Sequence, residues 1–130
     1  MSDESIVIVG ASRTPMGAML GSLSSLKATE LGATAIRGAI DKAGIEADKI
    51  DSAIMGCVLS AGLGQAPARQ AALGAKLSEN TSSATVNKMC GSGMQSIIQS
   101  HDSIQSGSHQ IVVAGGLESM SNAPYLISKA

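Results

Sequence analysis

Apolar positions along the chain fall into short runs divided by stretches rich in Gly and Ser. Ile6 to Val9 is an unbroken β-branched run that ends at Gly10, the pattern of a strand buried on both faces. Ala11 to Leu26 is rich in Gly, Ser and Met and carries Pro15, which predicts a long loop. Leu31, Ala35, Ile36, Ala39, Ile40 and Ala43 then share one stripe at helical spacing. Thr29 is a candidate cap for that helix and Gly44 a stop. Gly32 and Gly38 weaken the helix from inside and point to close packing there.

Ile50 to Leu59 reads as a second strand, followed by the loop SAGLGQ. Pro67 sits where a helix can begin, in PARQAALGAKL. Ala84 to Asn87 reads as a third strand. From about Cys90 to Ser106 the pattern is helical, with Met94, Ile97, Ile98, His101 and Ile104 on one face and Gly107 at the end. Ile111 to Ala114 is a fourth apolar run, followed by the loop GGLESMSNAPY. Strands that alternate with helices predict an α/β fold, a parallel or mixed sheet covered by helices. There is no tandem repeat and no low-complexity tract. The chain stops at Lys129-Ala130, after a loop and without a closing element, which reads as a cut.

Composition narrows the function classes. The 130 residues are 44% hydrophobic, enough for one domain with a core. Only 15% are charged, the net charge is −1 and Tyr125 is the sole aromatic residue. There is no basic stripe and no set of stacking rings, so nucleic acid is not an expected partner. No apolar run approaches a membrane span. Asp3 and Glu4 precede the first apolar run, where a secretory signal would carry positive charge. Cys57 and Cys90 form neither a zinc spacing nor a CxxC pair, so no metal is expected. These features predict a cytoplasmic protein with reduced thiols.

The chemistry concentrates at VNKMCGSGM. It places Cys90 at the carboxyl end of a strand and the start of a helix, the edge where α/β sheets collect their sites. A helix start presents free N–H groups and partial positive charge, which favour the nucleophilic thiolate. Gly91 and Gly93 clear space beside the sulfur, and Gly91 can take a positive φ that sharpens the turn. Backbone N–H groups beside Cys90 are candidates to receive an oxyanion. Spacing alone leaves a second reading open, in which Cys90 is a small buried hydrophobe.

VNKMCGSGMQSI, together with VVAGGLESMSNAPY, resembles the thiolase family. IVGASRTPMG, LGATAIRGAI, VLSAGLGQAPARQAAL and GGLESMSNAPY resemble further family blocks in the same order, over nearly the whole chain. The resemblance implies a thiolase-like layered fold, of which residues 1–130 form the first part of the N-terminal domain. It implies that Cys90 is the nucleophile, with Gly91 and Gly93 as its supporting turn. Cys90 would take an acyl group from a coenzyme A thioester, and an acetyl-CoA enolate would attack the acyl-enzyme in a Claisen condensation, with thiolysis as the reverse. No permanent cofactor is implied, coenzyme A thioesters being substrates, and a homo-oligomer, dimer or tetramer, is expected. The family's catalytic histidines, its second cysteine and most of its coenzyme A loop belong to a later half. The chain alone is therefore expected to be inactive. A β-ketoacyl synthase-type condensing enzyme and a non-catalytic interaction half are the alternatives.

Other residues invite weaker readings. His101 lies about three helical turns beyond Cys90, roughly 16 Å at the standard rise, too far to be its base, and is expected as a packed or interface residue. His109 is expected at the surface in a turn. Cys57, in IMGCVL, is expected to be buried and inert. GLGQAP lacks the third glycine of a dinucleotide fingerprint and reads as a structural turn. Glu118 stands at the sheet's carboxyl edge, either as a site contact or as a carboxylate bonding nearby backbone N–H groups.

Overall fold

A computed structural model describes residues 5 to 129; Asp3, Glu4 and Ala130, which bear on the expected start and stop of the chain, lie outside them. The elements run α1 (Ala28–Ala43), β1 (Ser52–Gly56), α2 (Pro67–Gly74), β2 (Ser82–Val86), α3 (Ser92–Gln105) and β3 (Val112–Gly116). The strands form one sheet in the order β2-β1-β3, with every described pair parallel. The connection β1-α2-β2 steps one way across the sheet and β2-α3-β3 steps back. Right-handed crossovers then put α2 and α3 on opposite faces. Among the described residues no helix is long and apolar enough to cross a membrane.

The core lies on the α2 face. Ala68, Ala71 and Ala72 of α2, Ala33 and Ile36 of α1, and Ala53, Met55 and Cys57 at β1 form one buried cluster. Alternation along β1 sends these three side chains to one face and leaves Ile54 and Gly56 for the other. The small residues set how closely the helices approach. A Cβ on Gly32 would stand 2.7 Å from the Leu117 side chain, and one on Gly38 would stand 2.5 Å from Ser12 Oγ, so both glycines mark close packing. Gly44 ends α1 at φ 65 and Pro67 opens α2 at its first turn, as their positions predict.

Two sequence expectations are corrected, and a third gains its orientation. Ile6 to Val9 forms no strand and is not buried: Ile8 is 82% exposed. A β-branched run specifies extended backbone, whereas a strand also needs a neighbour's N–H and C=O groups, and none among the described residues supplies them. Thr29 does not cap α1. Lys27 does, its N–H donating to Glu30 Oε2 at 2.8 Å, while Thr29 is buried in the first turn. On α3 the expected apolar face exists but looks away from the sheet, with Met94, Ile97 and Ile98 exposed. The buried face is Ser92, Ser96 and Ser100.

Candidate active site

The stretch between β2 and α3 is a short turn held by its own side chains. Asn87 Oδ1 accepts the Met89 N–H at 3.0 Å. Ser92 Oγ accepts the Lys88 N–H at 2.8 Å and donates to the Met89 carbonyl at 2.6 Å. The sharp bend falls on Met89, at φ 48. Gly91 has φ −87, so the expectation that Gly91 supplies the left-handed residue is corrected. The Asn87 and Ser92 bonds hold the Met89 peptide on both sides, which lets a residue with a side chain occupy a conformation usually left to glycine. The result carries Cys90 outward, and its thiol is exposed.

Gly91 and Gly93 do leave room. A Cβ on Gly93 would meet nothing within 4 Å, and one on Gly91 would make only ordinary contact with Lys88. The tight place is Gly56, at the end of β1. A Cβ there would lie 2.5 Å from the Ser92 carbonyl carbon and 2.7 Å from the Gly93 nitrogen. Gly56 thus lets the α3 start, two residues after Cys90, rest directly on the sheet. Sequence reasoning missed it, because it lies in a strand far from the cysteine in the chain.

The N–H groups beside the thiol are partly used. Gly91 N–H donates to the Lys88 carbonyl and Ser92 N–H to the Met89 carbonyl, each at 3.0 Å. The Cys90 N–H has no acceptor among the described residues, which narrows the oxyanion expectation to that group and the free N–H groups of the first helical turn.

Cys90 opens into a depression of about 300 Å³ lined by Val58, Met89, Cys90, Ser92, Gly93, Gly116, Leu117 and Glu118. It sits at the carboxyl ends of all three strands, as the strand order predicts. Glu118 forms one wall. Its carboxylate accepts the Leu59 N–H at 2.8 Å and the Val58 N–H at 3.0 Å, the backbone role weighed for it. Cys57 is buried beside it, Sγ 3.7 Å from Glu118 Oε1. Burial, and then the Glu118 charge and hydrogen bond, push the Cys57 thiol up to about 11, so it stays protonated and inert.

Neither histidine lines the depression. His101 is exposed beside Asp102 at 3.3 Å rather than packed. His109 is half-buried and paired with Ser103 Oγ at 2.9 Å, so it is tied to α3 and is not a freely solvated surface group. Gly62 and Gly64, at φ 78 and 81, make GLGQAP a turn.

A larger concavity, about 670 Å³, opens at the amino edge of the sheet around Asp51, Ser82 and His109. Of its two aspartates, Asp48 and Asp51, the second is committed to the fold: Asp51 Oδ2 accepts the Gln110 N–H at 2.7 Å and the Ile111 N–H at 2.9 Å. Those bonds, the Ile111 one foremost, hold its carboxyl below the usual range. The exposed cysteine makes the smaller depression the candidate site.

A cysteine in a strand-to-helix turn occurs in several folds, so the comparison with known families decides between them. Residues 6–130 match the model of the thiolase N-terminal domain. The chain belongs to the thiolase family. Among its relatives, the mitochondrial acetyl-CoA acetyltransferases of Xenopus tropicalis and Homo sapiens are each 53% identical over 124 residues, which is 95% of this chain. That of Mus musculus is 52% identical over the same length. The chain spans 29–30% of the length of these thiolases. Their names also correct the expected cytoplasmic location, since these relatives are mitochondrial. The expectation rested on thiols read as reduced, and reduced thiols do not separate one such compartment from another.

Proposed function

We propose that this thiolase chain carries the nucleophile of an acyltransferase that joins two acetyl-CoA molecules to acetoacetyl-CoA and cleaves 3-ketoacyl-CoA in reverse. The observation that carries the reading is the exposed Cys90 thiol, lifted out of a braced turn into a depression at the carboxyl edge of the sheet. The Cys90 thiolate attacks the thioester carbonyl carbon. The carbonyl oxygen becomes an oxyanion facing the Cys90 N–H, and coenzyme A leaves as the thiol to give acetyl-Cys90. The enolate of a second acetyl-CoA then attacks the acetyl carbon, and the sulfur departs as thiolate. Coenzyme A enters and leaves as part of the substrate, and no permanently held cofactor is required.

Enolate formation needs a base, and no His lines the depression. The proton-moving groups are therefore supplied by other parts of the whole protein, and these 130 residues alone are inactive. Its working form is a homodimer or homotetramer, in lipid metabolism. The relatives' name, acetyl-CoA acetyltransferase, favours this reading over a β-ketoacyl synthase.

The test uses the whole protein with acetyl-CoA. Peptide mapping is expected to find an acetyl group on Cys90, and Cys90→Ser is expected to abolish both the adduct and acetoacetyl-CoA formation. Undiminished turnover in Cys90→Ser would sink the assignment.

A further inference from the structure

We propose that Glu118 is a positioning residue for Cys90, acting through the Val58 peptide and Asn87 to fix the wall of the thiol's depression. The proposal rests on Cys90 being the reacting thiol. Glu118 follows β3 and reaches across to the exit of β1, where its two oxygens take the N–H groups of Val58 and Leu59 at 3.0 and 2.8 Å. The same Val58 peptide faces Asn87, at the exit of β2, whose Nδ2 lies 3.5 Å from the Val58 carbonyl. The other end of the Asn87 amide, Oδ1, accepts the N–H of Met89 at 3.0 Å. Met89 is the strained residue that lifts Cys90. Contacts thus run from Glu118 through Val58 and Asn87 to the residue before the nucleophile, and they tie together the carboxyl ends of all three strands.

The chemistry requires a carboxylate at this position. Two backbone N–H groups converge on two oxygens, and the Cys57 thiol adds a third, weaker donor to Oε1 at 3.7 Å. A carboxamide has one acceptor oxygen and an NH₂ that would face one of the N–H groups. Glu118→Gln therefore keeps the volume and releases half of the grip on the 58–59 backbone. Val58, Glu118 and Cys90 line one depression, so a released wall changes what can reach the sulfur.

The test compares alkylation of Cys90 in the whole protein by a small reagent, iodoacetamide, and a bulky one, N-phenylmaleimide, read by peptide-resolved mass spectrometry. In Glu118→Gln the bulky-to-small rate ratio at Cys90 is expected to rise severalfold. The kcat for acetyl transfer is expected to fall about tenfold with little change in KM, the size of one lost charge-assisted bond. Asn87→Asp keeps the acceptor for Met89 but removes the donor to Val58, and it is expected to shift the ratio in the same direction. It serves as the test should Glu118→Gln fail to fold. A purely stabilising carboxylate would move both alkylation rates by one common factor. An unchanged ratio in a folded variant overturns the proposal, and so does a raised ratio with unaltered acetyl transfer. Alkylation needs no acyl chemistry. A wild-type protein that takes up no acetyl group at Cys90 therefore refutes the acyltransferase reading alone and leaves the ratio to decide the role of Glu118.

Discussion

Met89 shows how a single residue sets the site. At φ 48 with an exposed side chain, it bears backbone strain that its own packing does not repay. Met89→Gly is expected to raise stability by about 1 kcal/mol by relieving the left-handed conformation. It is also expected to lower acetyl transfer, because a glycine loosens the hold on Cys90. Thermal melts and kcat measured on the same variant check the two halves. A different residue-scale test concerns Cys57. Its folded thiol titrates near 11 against an ordinary 9.0. Below 9 it is protonated whether folded or not and imposes no slope. Between pH 9 and about 11 the unfolded thiol loses its proton first, so stability falls as pH rises through that window. Comparing the alkaline melts of the wild type with those of Cys57→Ala should show this slope in the former and its loss in the latter. The sequence distinguished Cys90 in its turn from the buried Cys57, but it pointed to Gly91 for the strained position. Which residue in a turn takes positive φ depends on hydrogen bonds from Asn87 and Ser92 that close only in the folded turn.

At the scale of elements, α3 is the instructive case. Its apolar stripe marks one face of a helix, and the sequence places Met94, Ile97, Ile98 and Ile104 there without saying which layer that face meets. The structure turns the serine face inward. Ser96 Oγ donates within reach of the Gly115 carbonyl at 2.7 Å and the Gly93 carbonyl at 2.6 Å. Small side chains permit the close approach, and the Gly56 backbone receives the helix start without a Cβ between. Gly56→Ala is expected to force α3 outward, at an overpacking cost of about 1–3 kcal/mol, and to reduce acylation of Cys90 beyond what lost stability explains. Melting temperature and the rate of acetyl uptake together check this. Ser96→Ala, which removes the bond to β3, is expected to cost about 1 kcal/mol in denaturant melts. Periodicity identified the helix and its limits. It could not say which face meets which layer, because burial of a stripe depends on what else stands beside it.

For the molecule as a whole, the exposed apolar residues have a consequence. Met94 is 63% exposed on α3, with Ile97 and Ile98 also open, and elsewhere Ile8 is 82% exposed beside the open Val7. Large apolar areas left open in this way mark surfaces that other protein covers. The 130-residue chain, prepared by itself, is expected to bind a hydrophobic dye and to sediment as an associated species. A dye-free, cooperatively melting monomer would contradict that expectation. The whole-molecule pattern also explains why the run Ile6 to Val9 misled as a buried strand: its composition is that of an interior element, and its pairing is a matter of what lies alongside.

The sequence by itself determined the α/β alternation, the approximate span of each helix and the place of Cys90 between a strand and a helix. These depend on local spacing, on the caps and breaks made by Gly44, Pro67 and Gly107, and on residues adjacent in the chain. Only the tertiary structure decided that Met89 bears the bend, that Gly56 seats the helix, that α3 buries its serines, and that Glu118 and Asn87 meet around one peptide. The Met89 bend depends on bonds that close only in the folded turn; the other features join residues distant in sequence, and their contacts exist only once parallel pairing brings three strand ends to a single edge.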